Sequence, residues 1–377
     1  MFKLQFLKIL MNSTSSDNTI SRDFLQKQIA LFAYWVVCMR GYFNIFIENS
    51  LPITIFLNVV IILAIILGKL KKILFVIFGL SLLTIYNKDA LALIDIFAMT
   101  YILKGVNLKK IAIINIICFF AFFVVWQYAL YTGKIVDVTE LGHKGLAHHM
   151  GFDNTNVLGM VGFTLLCSLY LTCKSALSKT ILFFSIPVVN QIFYEYSLSR
   201  TPWISGYVLM LCMALQFVKL FRPCLKKIIG LLPLLIVFLI IYAAFNFNAL
   251  SELNSLTTGR VRYAGLLLMR MTGLNLLIGM PVPDDLIIDN SYIMLLCDGG
   301  IVCLSLFIVV FYKGITNYWN EIRSYIPYII AIITAGLTEN TFASVSGLSV
   351  VFWYLILNGD PYSRHSLKNP LNQFKII

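Results

Sequence analysis

Long runs of apolar residues, separated by short polar segments, recur along the whole chain. A helix that crosses a bilayer needs about 20 mostly apolar residues, within a range of about 17–25. By this criterion the pattern predicts about twelve transmembrane helices, of which the fourth and the last are the shortest. They lie near residues 25–43, 51–67, 71–86, 90–103, 111–131, 155–173, 180–197, 202–218, 228–246, 290–312, 325–341 and 344–358. The expected fold is an all-α polytopic integral membrane protein.

The basic residues between these runs predict the orientation of the helices, because Lys and Arg concentrate in the cytoplasmic segments of membrane proteins. With the N-terminus inside, every segment predicted to be cytoplasmic contains Lys or Arg, and only eight of the 29 basic residues fall outside. Those eight are Arg40, Lys88, Lys134, Lys144, Arg200, Arg260, Arg262 and Arg270. We therefore expect both termini in the cytoplasm, with a cytoplasmic segment at 1–24, a single membrane domain at 25–358 and a cytoplasmic tail at 359–377.

Two external loops are long enough to carry chemistry. The first covers residues of about 132–154, and the second, at about 247–289, joins the ninth and tenth predicted helices. The second loop contains the apolar stretch YAGLLLMRMTGLNLLIG, which is short for a span and carries an arginine. We expect this stretch to form an amphipathic helix lying at the outer interface. Because the other loops are short, function is expected on the external face.

Composition agrees with a membrane protein and excludes several other classes. The 377 residues are 59% hydrophobic and only 12% charged, with a mean hydropathy of +0.86, so there are too few charged residues to coat a soluble core. The net charge of +12 is spread over short segments without a basic stripe, and no nucleic-acid partner is expected. The eight cysteines include no CxxC spacing, so neither disulfides nor a zinc–thiolate site is expected.

Three of the four histidines, His143, His148 and His149, lie in the sequence GHKGLAHHMGFDNTN of the first loop. Imidazole transfers protons near neutral pH or holds an anion, and the amides of Asn154 and Asn156 suit sugar hydroxyls. One alternative is a solvated loop in which Asn154 or the threonine after it caps the next helix. A metal site is a third hypothesis, which the spacing disfavours because the histidines are not placed at i and i+4 on one helical face.

Arginines mark two other external segments. Arg200 stands in LSRTPWI at the outer ends of two apolar runs. There it either snorkels to the interface or aims its guanidinium into a cavity and binds phosphate bidentately. Arg260, Arg262 and Arg270 belong to the second loop, and the last two are near neighbours on one helical face. They predict either attraction to anionic lipid headgroups or a second phosphate clamp.

Carboxylates gather at the rims of the predicted helices. Asp284, Asp285 and Asp289 precede the tenth helix, where the helix dipole alone favours acidic residues. Asp298, followed by two glycines, lies well inside that helix, and Glu339 lies near the outer end of the eleventh. Phosphate-binding arginines beside proton-transfer groups predict chemistry on a lipid-linked phosphate at the outer leaflet.

Four short motifs together resemble a known family. GFDNTNVLG is similar to the GF-x-[HN]-P-N-x-x-G pattern of Wzy-type polysaccharide polymerases and the related O-antigen ligases, and LSRTPWI resembles their S-R-[TS]-x-hydrophobic segment. TTGRVRYAG resembles the [ST]-G-R element of their long external loop, and DNSYIMLLCDGGIV resembles the D-N-x-Y…G-[IL] opening of a late helix. The resemblance spans residues of about 140–310. It departs from the pattern at Thr155, which replaces the usual proline, and Asn154 leaves the motif without a histidine.

The resemblance implies an enzyme that transfers a growing glycan from an undecaprenyl diphosphate carrier to another lipid-linked repeat unit. Such enzymes work at the outer face of the bacterial cytoplasmic membrane, without a metal or another cofactor. Their partners are the bilayer and the lipid-linked donor and acceptor, and a chain-length regulator and a flippase are further candidates. The product would be a surface polysaccharide such as a capsule, an exopolysaccharide or O-antigen.

The resemblance also implies roles for individual residues. Arg200 and Arg260 would bind the diphosphate and stabilise it as it leaves. His148 or His149 would deprotonate the acceptor hydroxyl or orient the donor. The general base stays open between His149, a carboxylate such as Asp153 or Glu339, and no residue at all. The residues expected to bind substrate are Arg262, Asn154, Asn156, Asp289, Asn290, Tyr292 and Glu339.

Two other functions remain as alternatives. A flippase or another transporter of lipid-linked oligosaccharide would place charged residues near the midplane and would show repeat-related broken helices. The sequence shows no repeat between its halves, and its charges cluster outward. A ligase of the same superfamily would use a different acceptor, and the sequence does not separate it from a polymerase.

Overall fold

The computed structural model of the protein describes residues 15–46, 51–67, 84, 87, 90–142, 145–152, 154–218 and 220–360. Within these ranges the chain is mostly helical. The helices are α1 Ser15–Phe43, α2 Leu51–Leu67, α3 Leu91–Ile102, α4 Leu108–Tyr131, α5 Thr155–Thr172, α6 Ala176–Ser197, α7 Arg200–Phe217, α8 Lys226–Phe245, α9 Ser251–Leu256, α10 Arg260–Arg270, α11 Leu274–Ile278, α12 Ser291–Asn317, α13 Trp319–Ile322, α14 Ile326–Ala335 and α15 Gly347–Asn358. Two strands, β1 Thr139–Gly142 and β2 Gly145–His148, form an antiparallel hairpin, and short 3₁₀ turns cover Asn44–Phe46, Pro223–Leu225 and Arg323–Tyr325.

Five helices in the described ranges are long and apolar enough to cross a membrane: α4, α5, α6, α8 with the turn before it (Pro223–Phe245), and α12. Their outward faces are apolar as well. On α8, for example, Leu235 is 55% and Phe238 is 66% exposed. Apolar faces of this extent are unfavourable in water and are expected in lipid. The protein is therefore an α-helical membrane protein, as the apolar pattern predicts, while the number of twelve spans and their orientation stay predictions.

Helices occupy eleven of the twelve predicted segments, and the remaining segment, 71–86, lies outside the described residues apart from Thr84. Three of the helices in these predicted segments are much shorter than a membrane span. The helices α3, α14 and α15 have 12, 10 and 12 residues, which is about 15–18 Å at 1.5 Å per residue, against a hydrocarbon core of about 30 Å. The predicted helix at 325–341 ends at Ala335, because the chain turns back at Gly336, whose backbone packs against the ring of Phe342.

The helix α15 lies at the centre of the bundle. Its residues from Gly347 to Ile356 are all buried, and it packs against α3, α12 and α1. A Ser346–Ser349 capping box fixes its first turn. The rings of Phe342 and Phe352 stack on each other with their centroids 5.4 Å apart, which ties the segment before α15 to its core face. The loop between α14 and α15 therefore rests on a tightly packed base.

The helix α12 is broken at Gly299 and Gly300, where the apolar pattern predicts one continuous helix. Gly300 has φ +65°, and a Cβ there would lie 2.2 Å from the carbonyl oxygen of Leu277 in α11. Only glycine fits this crossing. The carbonyl of Cys297, freed by the break, accepts hydrogen bonds from the amide of Met280 at 2.9 Å and from the side chain of Asn87 at 2.7 Å.

The apolar stretch of the second loop is two helices rather than the single interfacial helix expected. The helix α10 ends at Arg270, and the chain turns through Gly273, which has φ +54°. The following helix, α11, packs against the break in α12, whereas α10 packs against α8. The helix α11 crosses the backbone of α12 closely, but none of its residues is buried, and Leu274 and Leu277 stay 57% and 51% exposed.

The hairpin departs from the all-α expectation, in which residues of about 132–154 form a loop. Thr139 pairs with His148 and Gly142 pairs with Gly145, so the strands are only four residues long. Strands this short give too few alternations for the sequence to reveal them. The hairpin leans on the end of α6, where the ring of His148 meets Tyr196 edge-on with centroids 5.9 Å apart.

Candidate functional site

The most highly connected charged group in the described residues is formed by Arg260, Asp289 and Glu339, here called the Arg260 cluster. Arg260 is the first residue of α10. Its Nη2 lies 3.0 Å from Oδ2 of Asp289 and 3.2 Å from Oε1 of Glu339, and its Nη1 donates to Thr258 Oγ1 at 2.8 Å. Gly259, with φ +85°, makes the tight turn that leads into α10. The cluster joins the connection between α8 and α12 to the segment after α14.

The environment of the Arg260 cluster suits proton transfer and anion binding. Burial raises the pKa of Glu339 to about 7; Arg260 opposes this shift, and the neighbouring Asp289 adds to it. A carboxyl group with such a pKa exchanges protons readily near neutral pH. The Nε atom of Arg260 is buried and has no hydrogen-bond partner among the described residues. Two carboxylates thus already hold Arg260, and its Nε–H is a buried donor that no described residue satisfies.

The segment after α14 is held against the start of α12 by several hydrogen bonds. Asn290 caps α12, accepting from the amides of Tyr292 at 2.9 Å and Ile293 at 3.2 Å, and its Nδ2 donates to Leu337 O at 2.6 Å. Ser291 Oγ donates to the carbonyl of Glu339 at 2.8 Å. These bonds fix the backbone that carries Glu339. Fixed backbone of this kind is what a catalytic carboxylate requires.

Two of the predicted substrate-binding residues thus have structural contacts. Both functional groups of the Asn290 amide are used within the protein, and Tyr292 is only 1% exposed, with its hydroxyl donating to Ile333 O at 3.3 Å. These contacts indicate a positioning role for Asn290 and Tyr292. Direct binding of substrate by either residue stays a prediction. The sequence analysis did not single out Ser291, whose only signal is its place directly after a helix cap.

Arg200 is the first residue of α7, and its side chain makes no hydrogen bond or ion pair with the described part of the chain. The residues directly before and after Arg200 in the chain both make side-chain hydrogen bonds. Ser199 Oγ donates to Asn156 Oδ1 at 2.9 Å, and the hydroxyl of Thr201 hydrogen-bonds with that of Thr338. The half-buried guanidinium of Arg200 is therefore held in place by its backbone while its donors stay available.

These contacts bring the sequence motifs together at one end of the bundle, here called the site end. Asn154 caps α5 by accepting from the amide of Asn156 at 2.8 Å, as one of the two hypotheses for that residue predicts. The side chain of Asn156 accepts a hydrogen bond from Ser199, directly before Arg200. Thr201, directly after Arg200, hydrogen-bonds with Thr338, which precedes Glu339. The segments are far apart in sequence, so only the fold places Arg200 and the Arg260 cluster at the same end.

The histidines lie on the hairpin and have partners there. His148 Nδ1 pairs with Oδ2 of Asp137, whose other oxygen accepts from the amide of Met150 at 2.8 Å. His149 Nδ1 lies 3.1 Å from Phe152 O, and its Nε2 lies 3.4 Å from Oε2 of Glu140. Both rings are thus held within the loop. His143 and Asp153 lie outside the described residues.

The hairpin stands over the turn that leads into Arg200. A Cβ placed on Gly145 would lie 3.6 Å from Leu198 Cδ1, in the turn between α6 and α7. His148 and His149 therefore belong to the site end, but within the described ranges neither makes a hydrogen bond or ion pair with Arg200 or the Arg260 cluster. Their catalytic role stays a prediction.

Arg270 is paired with an acidic residue and Arg262 is exposed, and a second phosphate clamp formed by these arginines stays a prediction. Arg270 makes a bidentate pair with Asp285, with two N–O distances of 2.7 Å, and this pairing lowers the pKa of the exposed Asp285 carboxyl. The side chain of Arg262 is exposed, and its backbone amide donates to Asn254 Oδ1 at 2.9 Å. Among the described residues, no group of three or more His, Cys, Asp or Glu side chains is arranged to hold a metal ion.

Comparison with known proteins gives no match for this chain: no family model, no curated protein and no solved structure is similar to it. The motif resemblance therefore stays a resemblance.

Proposed function

We propose that the protein is a membrane glycosyltransferase that joins undecaprenyl-diphosphate-linked oligosaccharide repeat units into a surface polysaccharide. The observation that carries the proposal is the gathering of Arg200, Arg260 and Glu339 at one end of an apolar helical bundle. Cationic groups can stabilise a departing diphosphate, and a proton acceptor can activate the attacking hydroxyl. The motif resemblance, which includes Arg200 and Arg260, points to the same function.

The two arginines would act on the donor. When the glycosidic bond to the carrier breaks, the diphosphate departs with the bonding electron pair and gains negative charge. Arg200 has no protein partner for its donors among the described residues, and Arg260 keeps its Nε unused. Guanidinium groups bind phosphate oxygens through paired, charge-assisted hydrogen bonds, and this stabilisation lowers the barrier to departure.

Glu339 would act on the acceptor. As the acceptor hydroxyl oxygen attacks the anomeric carbon of the donor, its proton moves to the Glu339 carboxylate. A carboxyl whose pKa lies at about 7 is substantially ionised at neutral pH and still basic enough to take the proton. Of the bases that the sequence left open, Glu339 alone contacts an arginine of the site in the described residues. Departure of the diphosphate then completes the transfer, and the carboxyl releases its proton to water.

The membrane fold fits a lipid-linked substrate. A polyprenyl carrier presents its diphosphate at the surface of the bilayer, and the exposed apolar faces of the helices keep the site end next to lipid. The distribution of basic residues supports the outer face for this site, and the motif resemblance implies the bacterial cytoplasmic membrane. A flippase that delivers the repeat unit and a chain-length regulator are the protein partners this role would need.

One observation favours a transporter as the second candidate. The helix α12 is broken at Gly299 and Gly300, directly after the buried Asp298. Broken helices next to buried charged residues are typical of transporter binding sites. A ligase, which would move finished glycan to a different acceptor, would use the same donor site as a polymerase.

The candidates separate in one assay with purified protein. The protein in detergent receives the lipid-diphosphate-linked repeat unit of its own host, and products are resolved by size on a gel. A polymerase gives a ladder spaced by one repeat. A ligase gives product only when a separate acceptor is added. Absence of any product, with movement of the same lipid across reconstituted vesicles, would establish the transporter.

A further inference from the structure

A cavity of about 480 Å³, lined in part by the segment that follows Glu339, has no role in the mechanism above. Its walls come from α1, α2, α3, α12 and the segment between α14 and α15. The polar groups on its walls include Arg40, Asp95, Asp298 and Asn340. Asn340 directly follows Glu339 in the chain, so the cavity opens next to the proposed base.

The cavity holds buried polar atoms that the fold itself does not use. Asp95 is 2% exposed, and its Oδ1 has no hydrogen-bond partner among the described residues. Asn340 Oδ1 is also without a partner in that part of the chain. A buried carboxylate oxygen without a partner is costly, and it is usually kept for a ligand or a bound water. Its position on the wall of a cavity supports a ligand.

The charges on the walls indicate the kind of ligand. Asp95 and Asp298 are acidic, Arg40 is the one basic group among the lining residues, and the unpartnered atoms of Asp95 and Asn340 are oxygens, which need a hydrogen-bond donor that a diphosphate does not supply. Carboxylates and amides instead accept hydrogen bonds from hydroxyl groups. The volume falls within the range of about 300–1,000 Å³ that small-molecule sites occupy.

We propose that this cavity binds the terminal sugar of the acceptor repeat unit, with Asp95, Asp298 and Asn340 hydrogen-bonding to its hydroxyls. The proposal rests on the proposed function and divides the substrates between two places. The diphosphate of the donor binds to Arg200 and Arg260, and the sugar of the acceptor binds in the cavity. Asn340 places one end of that sugar beside Glu339, so the hydroxyl nearest the cluster is the one deprotonated.

The test measures binding and turnover separately. The probe is the free repeat-unit oligosaccharide, released from its carrier and lacking the diphosphate, and its Kd for the purified full-length protein is measured by calorimetry. Asp95→Asn should weaken binding about tenfold or more, because it removes a buried charge-assisted hydrogen bond that contributes about 1.5–3 kcal/mol. Ala92→Leu should also weaken binding about tenfold or more, because its larger side chain fills the cavity. Both variants should leave the KM for the lipid-linked donor within about twofold.

Matched controls make the outcomes distinct. Glu321 is also a buried carboxylate, 7% exposed against 2% for Asp95, and it does not line the cavity, so Glu321→Gln should leave oligosaccharide binding unchanged. If Asp95→Asn does not fold, Ala92→Leu decides the question, since it removes no polar group. Absence of binding by the wild type, or equal binding by the wild type and both variants, would overturn the cavity proposal while leaving the polymerase ladder untouched. If the variants lose binding but the wild type gives no ladder, the proposed function is contradicted. The cavity would still be a sugar-binding site.

Discussion

Arg260 donates through Nη2 to a carboxylate oxygen of Glu339 that lies 3.2 Å away and 79 residues further along the chain. The contact places a carboxyl with a pKa of about 7 against a guanidinium that still has an unused donor. Proton transfer and anion binding can therefore occur within the reach of two side chains. This pairing is the basis for the first two predictions.

Activity should rise with pH through about 7, because Glu339 can accept a proton only after its own has left. The measurement is the initial rate of repeat-unit transfer across this range, for the wild type and for Glu339→Gln. The variant should lose about 10²–10⁴-fold in rate, the usual contribution of a general base, and should no longer show the rise. A variant that retains the wild-type profile would exclude Glu339 as the base.

Stability should show the opposite trend. The folded-state pKa of Glu339, about 7, lies above its ordinary value of 4.5, so between these values the folded protein binds more protons than the unfolded chain. The free energy of unfolding therefore contains a contribution that is present below about pH 4.5 and is lost as the pH rises through about 7. Thermal melting in detergent should show this loss in the wild type. The same pH dependence in Glu339→Gln would assign it to another group.

Arg200→Lys should lose about 10–100-fold in activity while the protein inserts and folds normally. A point charge does not replace a bidentate fork, and hydrogen bonds to charged groups contribute about 1.5–3 kcal/mol. Chain length on a gel and the rate of transfer are the measurements. Arg222→Lys, an exposed arginine in the turn before α8, is the matched control and should behave as the wild type. Wild-type chain length in Arg200→Lys would remove Arg200 from phosphate binding.

His149→Ala should lower kcat more than it raises the KM for the lipid-linked donor. The ring is held by Phe152 O and Glu140 and lies on the hairpin over the turn that leads into Arg200, so its loss should disturb turnover or donor orientation at that turn. Lys134→Ala, an exposed change in the same loop, serves as the control. An unchanged rate in His149→Ala would show that this histidine has only a structural role.

Gly300→Ala should destabilise the protein by about 2 kcal/mol or more. A Cβ there would lie 2.2 Å from the carbonyl oxygen of Leu277, and the positive φ adds strain. Gly273→Ala is the matched control, because Gly273 also has a positive φ but nothing lies within 4 Å of its Cβ position. The melting temperature of Gly300→Ala should fall well below that of Gly273→Ala. Equal melting temperatures would mean that α11 does not pack on α12 as described.

The sequence allowed the helices to be predicted far better than the site. Apolar runs are local, so α2 and α5 begin and end within a residue of the segments predicted for them. The break in α12 depends on α11 approaching Gly300, and the shortness of α14 depends on Gly336 packing against Phe342. Such contacts between distant residues leave no periodic signal in a single sequence.

The same distinction applies to the site residues. Arg200, Arg260 and Glu339 could be selected because charged residues are rare beside apolar runs. The contacts that join them are those of Ser199 with Asn156 and of Thr201 with Thr338. These contacts could not be predicted, because they involve ordinary hydroxyl and amide groups. The cavity was missed because Asp95 lies inside an apolar run, with no motif around it.

The central claim is that two arginines at the site end carry transfer from a lipid diphosphate. The most direct measurement is kcat/KM for the lipid-diphosphate-linked repeat unit with purified wild type, Arg200→Ala, Arg260→Ala and the control Arg222→Ala. We predict a one-repeat ladder from the wild type and from Arg222→Ala, and a loss of about 10²-fold or more from each of the other two. A ladder of normal length and rate from Arg200→Ala and Arg260→Ala would contradict the account.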